Sequence, residues 1–247
     1  MKVTYPSDTL IHWKAIQQTL LKTQLSLTNK LNYNTMTLVA GVDISFNKKD
    51  PSFACAYITI IETHSHKILY EDHLSTRLTI PYVSGFLAFR EVPHYAKLID
   101  RIPNKYRPDV ILVDGFGILH YRGFGSASHL GVTVDIPTIG VGKKLLVMDG
   151  LNERAIIDKL RKSWTLLTPF VEIVGKSGKM FGYAYAKSKE SRPIYISVGH
   201  MVDIETAFLV VKSLCFYRVP EPIRISDIRS KFYLDPSIQA DCNDGNI

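Results

Sequence analysis

The sequence predicts a single α/β domain in which a central mixed β-sheet is flanked by α-helices. Three strand-like segments follow a first helix, and helix-like and strand-like segments then alternate, which is typical of this class. Residues 110–113 read VILV, and such a continuous apolar run suits a strand covered on both faces. The 247 residues, 46% of them apolar, suffice for one large core. We expect residues 1–232 to form the domain and residues 233–247 to be a flexible tail.

The first third of the chain is expected to form a helix and an antiparallel meander. Ser7 or Asp8 can cap a helix that extends to about residue 27. Residues 37–46 alternate between apolar and polar positions as a strand does. Residues 52–61 and 67–78 are two further strands, and the segment between them has the length of a hairpin connection.

Asp43 is the first of several acidic residues in unusual places. It lies inside an apolar strand, where an ionised carboxylate is costly to bury unless it is paired or bound to a cation. Gly41, two residues earlier on the same face, is expected to open a cleft beside it. The alternative is an aspartate on a solvated strand face.

A loop and a helix follow the meander. Residues 81–85 form a loop by composition, and Tyr82 could stack on a nucleic-acid base or simply pack the loop down. Residues 86–102 are expected to be helical with an interruption at Pro93. Glu91 precedes that break among apolar neighbours, and its alternative is a solvent-facing glutamate on an amphipathic helix.

Asp114 ends the buried strand that starts at Val110. Ligands of open sheets collect beyond the carboxyl ends of parallel strands, so an acid there is a candidate metal or substrate ligand. Gly115 and Gly117 would let a ligand approach the backbone closely. The groups that could meet an anion just beyond them are His120, Arg122 and His129. The alternative is an ordinary Asp-Gly turn.

The remaining segments complete the sheet and its helices. Expected helices cover residues 126–132, 151–162, 203–215 and a segment from residue 223 onward; expected strands cover residues 138–141, 170–174, 180–186 and 194–199. Lys143 and Lys144 follow a strand end, where they could meet a phosphate backbone or form a solvated turn. Asp227 lies in the last helix, where a surface ion pair is the alternative to a functional role.

Charge and cysteine content narrow the function classes. The net charge of +7 and the pI near 9.2 favour an anionic partner, with nucleic acid ahead of a membrane surface. The three cysteines show no disulfide framework and no zinc spacing, which indicates a reducing compartment. No signal peptide and no membrane-spanning run are apparent, so we expect a cytoplasmic, nuclear or nucleolar protein without a membrane partner.

Four carboxylates therefore stand out along the chain: Asp43, Glu91, Asp114 and Asp227. Clusters of oxygen ligands suit Mg²⁺ or Mn²⁺. The order of strands, helices and acids resembles the ribonuclease H-like nuclease fold.

Several local motifs are more specific and together resemble the endonuclease V family. They are GVDISF, PYVSGFLAFRE, VDGFG-LH-R-FG-ASHLGV, IPTIGVGKKLL, PIYISVGH and PEPIR-SD. They occur between the Trp13 helix and about Lys231. The FLAFREVP and RGFG versions are similar to the eukaryotic members.

The resemblance implies a Mg²⁺-dependent monomeric endonuclease, with Mn²⁺ able to substitute, that recognises inosine and cuts the second phosphodiester on its 3′ side. The ends left would be 3′-hydroxyl and 5′-phosphate. Eukaryotic members resemble ribonucleases acting on single-stranded inosine-containing RNA, whereas bacterial members act on deaminated DNA. A deoxyinosine-specific repair enzyme is thus the nearest alternative.

The resemblance also assigns roles to individual residues. Asp43 and Asp114 would be the main metal ligands, Glu91 would complete the cluster, and Asp227 would be the fourth catalytic group. The residues matching the wedge that contacts nucleic acid are Pro81, Tyr82, Val83, Ser84 and the adjoining Gly85. Lys143 would lie near the scissile phosphate, and His120 and Arg122 beside the substrate path.

Phe116 and Tyr121 depart from the family pattern, which bears on fine specificity. Two readings from other classes are a catalytically silent inosine-RNA binder and an actin-like phosphotransferase. The complete acid set disfavours the first, and the absence of an internal repeat disfavours the second.

Overall fold

The computed structural model describes residues 6–164 and 169–234, so residues 235–247 of the expected tail lie outside the described part of the chain. Eight strands form one mixed sheet in the order β3-β2-β1-β4-β5-β8-β7-β6. The strands are β1 (Leu38–Phe46), β2 (Phe53–Glu62), β3 (Ile68–Arg77), β4 (Val110–Asp114), β5 (Thr138–Gly142), β6 (Phe170–Val174), β7 (Met180–Tyr185) and β8 (Ile194–His200). The expected α/β class with a mixed sheet is confirmed.

Helices cover both faces of the sheet. They are α1 (Ser7–Thr23), α2 (Leu87–Asp100), α3 (Ser126–Val134), α4 (Glu153–Ser163), α5 (Ile204–Ser213) and α6 (Glu221–Phe232), with a 3₁₀ turn at Asn104–Tyr106. Successive side chains of a strand point to opposite faces. Val39 and Leu112 accordingly pack in one core with α5, while Ala40 and Val113 pack in a second core with α2 and α3.

The strand pairing places the carboxyl ends of three strands together. Strands β1, β2 and β3 form the expected antiparallel meander. Strand β1 also pairs with β4 in parallel, and β4 pairs with β5 in parallel. The ends of β1, β4 and β5 therefore lie at the same edge, where Asp43, Asp114 and Lys143 are found.

Two expectations about helix ends and breaks are wrong. Pro6, not Ser7 or Asp8, occupies the N-cap of α1, no side chain caps the helix, and it ends at Thr23 instead of near residue 27. Helix α2 continues through Pro93 without interruption. Burial of Val92, Tyr95 and Leu98 on the sheet outweighs the hydrogen bond that proline cannot donate.

The expectation that Gly41 opens a cleft is also wrong. The backbone of Pro222 at the start of α6 lies directly against Gly41, where a Cβ would overlap it. Ser226 on α6 donates a hydrogen bond from Oγ to the Gly41 carbonyl over 2.9 Å, and Ser230 Oγ lies 2.7 Å from Ser45 Oγ. The glycine therefore allows a helix to sit on the strand that carries Asp43.

Within residues 6–164 and 169–234, none of the helices is both long and apolar enough to cross a bilayer. Cys55 and Cys215 are buried free thiols, and Cys242 lies outside the described residues.

The contact between Gly41 and α6 makes a stability prediction. Gly41→Ala should lower the free energy of unfolding by about 3 kcal/mol, because the added methyl group meets backbone that cannot rotate away. Gly178→Ala is the matched control, since a Cβ there has nothing within 4 Å and only the positive φ of 82° opposes it. We expect the control to cost about 1 kcal/mol. Urea denaturation measures both, and equal losses would contradict the packing role of Gly41.

Candidate active site

Asp43 and Asp114 are brought side by side by the parallel pairing of β1 and β4. The register pairs Val42 with Val113, and each aspartate is the next residue along its strand. Asp43 is 5% exposed, whereas the Asp114 side chain is 22% exposed. Two carboxyl groups are thus held together at the sheet edge, one buried and one partly exposed, and both line the cleft described below.

The surroundings of Asp43 disfavour its charged form. Burial raises the pKa of Asp43 well above its ordinary value, and the charges of Asp114 and Asp227 raise it further. Lys143 acts in the opposite direction as a nearby positive charge. A second cation close to Asp43 would have the same effect and would favour the ionised cluster.

Glu91 reaches the same cluster from helix α2. It is 4% exposed, so the alternative of a solvent-facing glutamate is wrong. Burial raises its pKa to about 8, and the negative charge of Asp114 contributes. Tyr95 lies one helical turn later and is fully buried, and the pKa of its hydroxyl is raised by burial and then by Glu91, Asp43 and Asp114. Tyr95 was not predicted from the sequence as a site residue, although its position four residues after Glu91 places both on one helix face.

Asp227 lies on α6, which packs on the face of β1 opposite to the one that α2 covers. Its charge contributes to the raised pKa of Asp43, which places it near the cluster. Asp227 Oδ2 also accepts a hydrogen bond from Lys231 Nζ over 2.7 Å. The pair with Lys231 is the surface ion pair that was the alternative to a functional role, whereas the arginines on either side of Asp227, Arg224 and Arg229, pair with Glu221 and Glu71.

Lys143 is the cation inside the cluster. Its Nζ donates a hydrogen bond to Asp114 Oδ2 over 2.6 Å. Burial alone would lower the pKa of Lys143, but the attraction of Asp114, Asp43 and Asp227 outweighs it and the pKa is raised. The Lys143 carbonyl accepts a hydrogen bond from Arg218 Nη2 over 2.7 Å. Arg218 belongs to the α5–α6 connection, so the segment that leads to Asp227 also fixes the backbone of Lys143.

A cleft of about 440 Å³ gives access to this cluster. Most residues that the sequence singled out line it: Asp43, Tyr82, Ser84, Gly85, Glu91, Asp114, Gly115, Phe116, His120, Tyr121, Lys143 and Lys144. The cleft is also lined by Gln17, Phe46 and Tyr95, which were not predicted from the sequence as site residues. Pro81, Val83, Arg122 and Asp227 are outside the lining.

The donor set fits a hard divalent cation. Asp43, Glu91 and Asp114 supply only oxygen atoms, which is the ligand chemistry of Mg²⁺ and Mn²⁺. Lys143 occupies one oxygen of Asp114, and among the described residues no three acidic, histidine or cysteine side chains converge as a preformed metal site. The cluster nevertheless has three carboxyl groups against one ammonium group, so a bound cation would relieve their mutual repulsion.

The loop at residues 81–85 is anchored at its end and exposed at its tip. Tyr82 is 69% exposed and faces the cleft. The Gly85 carbonyl accepts hydrogen bonds from Arg122 Nη2 and, over 3.3 Å, from Gln17 Nε2. Arg122 Nε also donates to Gln17 Oε1 over 2.6 Å, and its guanidinium covers the Phe86 ring. Arg122 thus braces the loop from behind, while Tyr82 is free to meet a ligand.

The two histidines expected to meet an anion are neutral at pH 7. Burial, assisted by Arg122, lowers the pKa of His120 to about 4, and burial lowers that of His129 to about 4. His120 borders the cleft, where a neutral imidazole can still form a hydrogen bond. His129 packs against Phe89 and Phe124 and is absent from the cleft lining, so its expected anion contact is wrong.

Glycine at position 117 serves packing rather than ligand approach. A Cβ there would overlap the backbone of Val198 in β8, and the Gly117 amide donates to Ser197 Oγ over 2.9 Å. Gly115 does border the cleft, as expected.

Comparison with known proteins gives consistent similarities over most of the chain. The family model described as Endonuclease V matches residues 19–228. A human protein named Endonuclease V is 40% identical over 244 residues, which covers 94% of this chain and 86% of the human one. The catalytic domain of human Endonuclease V has a similar fold, with a TM-score of 0.87, 38% identity and coverage of 95% of this chain and 99% of that chain.

A further solved structure contains nucleic acid. Endonuclease V of Ciona intestinalis was crystallised in complex with a 24mer DNA containing an inosine followed by a ribo-adenosine. Its TM-score is 0.87 at 28% identity, with coverage of 94% of this chain and 100% of that chain.

The buried neutral His129 predicts a specific pH dependence of stability. Its folded pKa of about 4 lies below the ordinary 6.5, so the unfolded chain binds the extra proton between these values and stability falls as the pH falls from 6.5 to 4. His129→Leu should remove this loss. Between pH 7 and pH 5, the free energy of unfolding of the wild type should therefore fall by on the order of 2 kcal/mol more than that of the variant.

Denaturant titrations at pH 5 and pH 7 measure this difference. His64→Leu, at an exposed turn position, is the control and should follow the wild-type curve. A parallel change with pH in His129→Leu and wild type would contradict the assignment.

Proposed function

This chain belongs to the endonuclease V family of nucleases, and from that membership we propose that it is a Mg²⁺-dependent endoribonuclease that cleaves inosine-containing single-stranded RNA. Cleavage would occur at the second phosphodiester 3′ to inosine and leave 3′-hydroxyl and 5′-phosphate ends. The observation that carries the proposal is the buried pair of acids Asp43 and Glu91 beside the partly exposed Asp114, all three lining one cleft. Such an arrangement is unfavourable without a cation and is suited to binding one.

Asp43, Glu91 and Asp114 would hold the metal. Asp227, on α6, would add its negative charge next to Asp43. When bound, a divalent cation supplies the Lewis acidity that activates a water molecule and offsets phosphate charge. The raised pKa values of Asp43 and Glu91 mean that protons compete with the metal for these ligands.

The other groups of the cleft would position the substrate. Lys143 lies within reach of Asp114 and is well placed to meet the scissile phosphate with its positive charge. The protein need not supply a side-chain nucleophile, since water is the attacking group in this proposal. His120, neutral at pH 7, would contribute a hydrogen bond instead of charge.

The exposed Tyr82 at the loop tip would stack on a base next to the inosine. Turning a base out of a stack costs a few kcal/mol and costs less in a single strand, which supports a single-stranded substrate. The similarity to human Endonuclease V and the inosine in the Ciona intestinalis complex support inosine as the recognised base. Because that complex contains DNA, deoxyinosine-containing DNA is the second candidate substrate.

The test is cleavage of paired oligonucleotides, one with inosine in RNA and one with deoxyinosine in DNA, beside adenosine controls. We expect RNA cutting at the second 3′ phosphodiester with Mg²⁺ and none with EDTA. Asp43→Asn should lower the rate by at least ~10³-fold while inosine-RNA affinity stays near wild type, because the isosteric amide removes a metal ligand without removing substrate contacts.

Asp158→Asn, on the exposed face of α4, is the matched control for this substitution. Preferential DNA cutting would replace the RNA proposal by a repair nuclease on the same site. Inosine-dependent binding without any cutting would favour a silent binder.

Tyr82 should contribute to affinity and not to metal use. Tyr82→Ala is expected to weaken inosine-RNA binding by about 10-fold, since one base–aromatic stack is worth ~1–3 kcal/mol. Tyr82→Phe keeps the ring and should bind like wild type, and the Mg²⁺ concentration for half-maximal activity should be unchanged in both. Equal affinity of the alanine variant and wild type would rule out the stacking role.

A further inference from the structure

A second groove lies beside the catalytic cleft, between the β1–β2 turn and the end of α6. It encloses about 790 Å³, and it is lined by Phe46, Asn47, Lys48, Lys49, Lys231 and Leu234. We call it the lysine groove. Lys48, Lys49 and Leu234 do not line the catalytic cleft.

The lysine groove is continuous with the cleft through shared residues. Ile44 and Phe46, at the end of the strand that carries Asp43, line both cavities. Phe46 is 37% exposed, and the Arg90 guanidinium lies 4.6 Å from the centre of its ring. Arg90 is itself fixed by hydrogen bonds to the carbonyls of Ile80 and Pro51. An aromatic ring supported by a cation therefore stands between the cleft and the groove.

The charge of the groove is positive and largely uncompensated. Lys48 and Lys49 are exposed, and neither forms a salt bridge within the described parts of the chain. The nearest acid in the turn, Asp50, is already paired with Arg77 over 2.9 Å. Lys231 pairs with Asp227, so it adds no free charge at that end. Two unpaired ammonium groups remain for an anionic partner.

The β1–β2 turn that presents these lysines is held in shape by its own hydrogen bonds. Asn47 Oδ1 accepts from the backbone amides of Lys49 and Asp50 over 2.8 and 3.0 Å. Asn47 Nδ2 donates to the Leu234 carbonyl over 3.3 Å, which ties the turn to the end of α6. Binding there would not first require the turn to be ordered.

We propose that the lysine groove binds the nucleic-acid strand that extends from the catalytic cleft, with Lys48 and Lys49 on successive phosphates and Phe46 stacked against a base. Phosphate contacts by lysine with aromatic stacking are the chemistry by which proteins follow a single strand without reading its sequence. This inference rests on the proposed nuclease function. It extends the substrate site beyond the nucleotides next to the cut.

The test compares short inosine-RNA with the same strand lengthened by about eight nucleotides on its 5′ or its 3′ side, a length within the usual single-strand site size. Apparent Kd is measured by fluorescence anisotropy in EDTA, so that no cutting occurs. The variants are Lys48→Ala/Lys49→Ala and, as the matched control, Lys176→Ala/Lys179→Ala at the exposed β6–β7 turn. Circular dichroism verifies that both variants fold.

In the wild type, one of the two extensions should tighten binding. Two phosphate contacts on a single strand make this gain fall about sevenfold between ~50 and ~200 mM salt. The Lys48→Ala/Lys49→Ala variant should lose the gain and its salt dependence, and the control variant should keep both. Lys48→Glu/Lys49→Glu should turn the gain into a penalty.

Three results would overturn the lysine groove: no gain from either extension in wild type, an undiminished gain in the Lys48→Ala/Lys49→Ala variant, or an equal loss in the control variant. Adenosine strands of the same lengths separate this outcome from failure of the proposed function. The gain in affinity from the longer strand should also be seen with adenosine strands. If inosine and adenosine strands bind equally well, that result contradicts inosine recognition and leaves the lysine groove untouched.

Discussion

Acidic side chains held side by side at one edge of the sheet are the constraint on which the rest of this structure depends. The parallel pairing of β1 with β4 places Asp43 next to Asp114, and α2 adds Glu91. The positions of Asp43 and Glu91 disfavour an ionised acid, because burial raises the pKa of both carboxyl groups. Lys143 offsets part of the repulsion through its 2.6 Å contact with Asp114. The hydrophobic packing on both faces of the sheet must therefore offset the cost of burying acidic side chains at the ends of its middle strands.

The segment from Arg218 through α6 completes the acidic site that β1, β4 and α2 begin to form. Gly41 admits α6 onto the back of β1, which brings Asp227 near Asp43. Arg218, just before α6, holds the carbonyl of Lys143. The same short segment therefore determines the positions of an acid and of the cluster's cation. A change in how α6 seats on β1 is expected to alter both together.

The fold class, the antiparallel meander and the acidic positions could be predicted because each leaves a local signal. Alternation reveals the strands, and an acid inside an apolar strand, as with Asp43, is conspicuous. The bracing of the loop by Arg122 and Gln17, the packing of Gly41 and the burial of Tyr95 depend on contacts between residues far apart in sequence. His129 shows the converse, since its neighbours in sequence suggested an anion contact whereas its neighbours in space are aromatic rings.

The contact of Arg218 with Lys143 bears on the order in which the site is assembled as the chain is synthesised. Strands β1 and β4 and helix α2 precede α6 in the chain, so they leave the ribosome before it. Until the segment with Arg218 and Asp227 has emerged and docked, the Lys143 backbone lacks its hydrogen-bond donor and Asp43 lacks its neighbour on α6. The docking of α6 is therefore the step that gives Lys143 and Asp43 these neighbours.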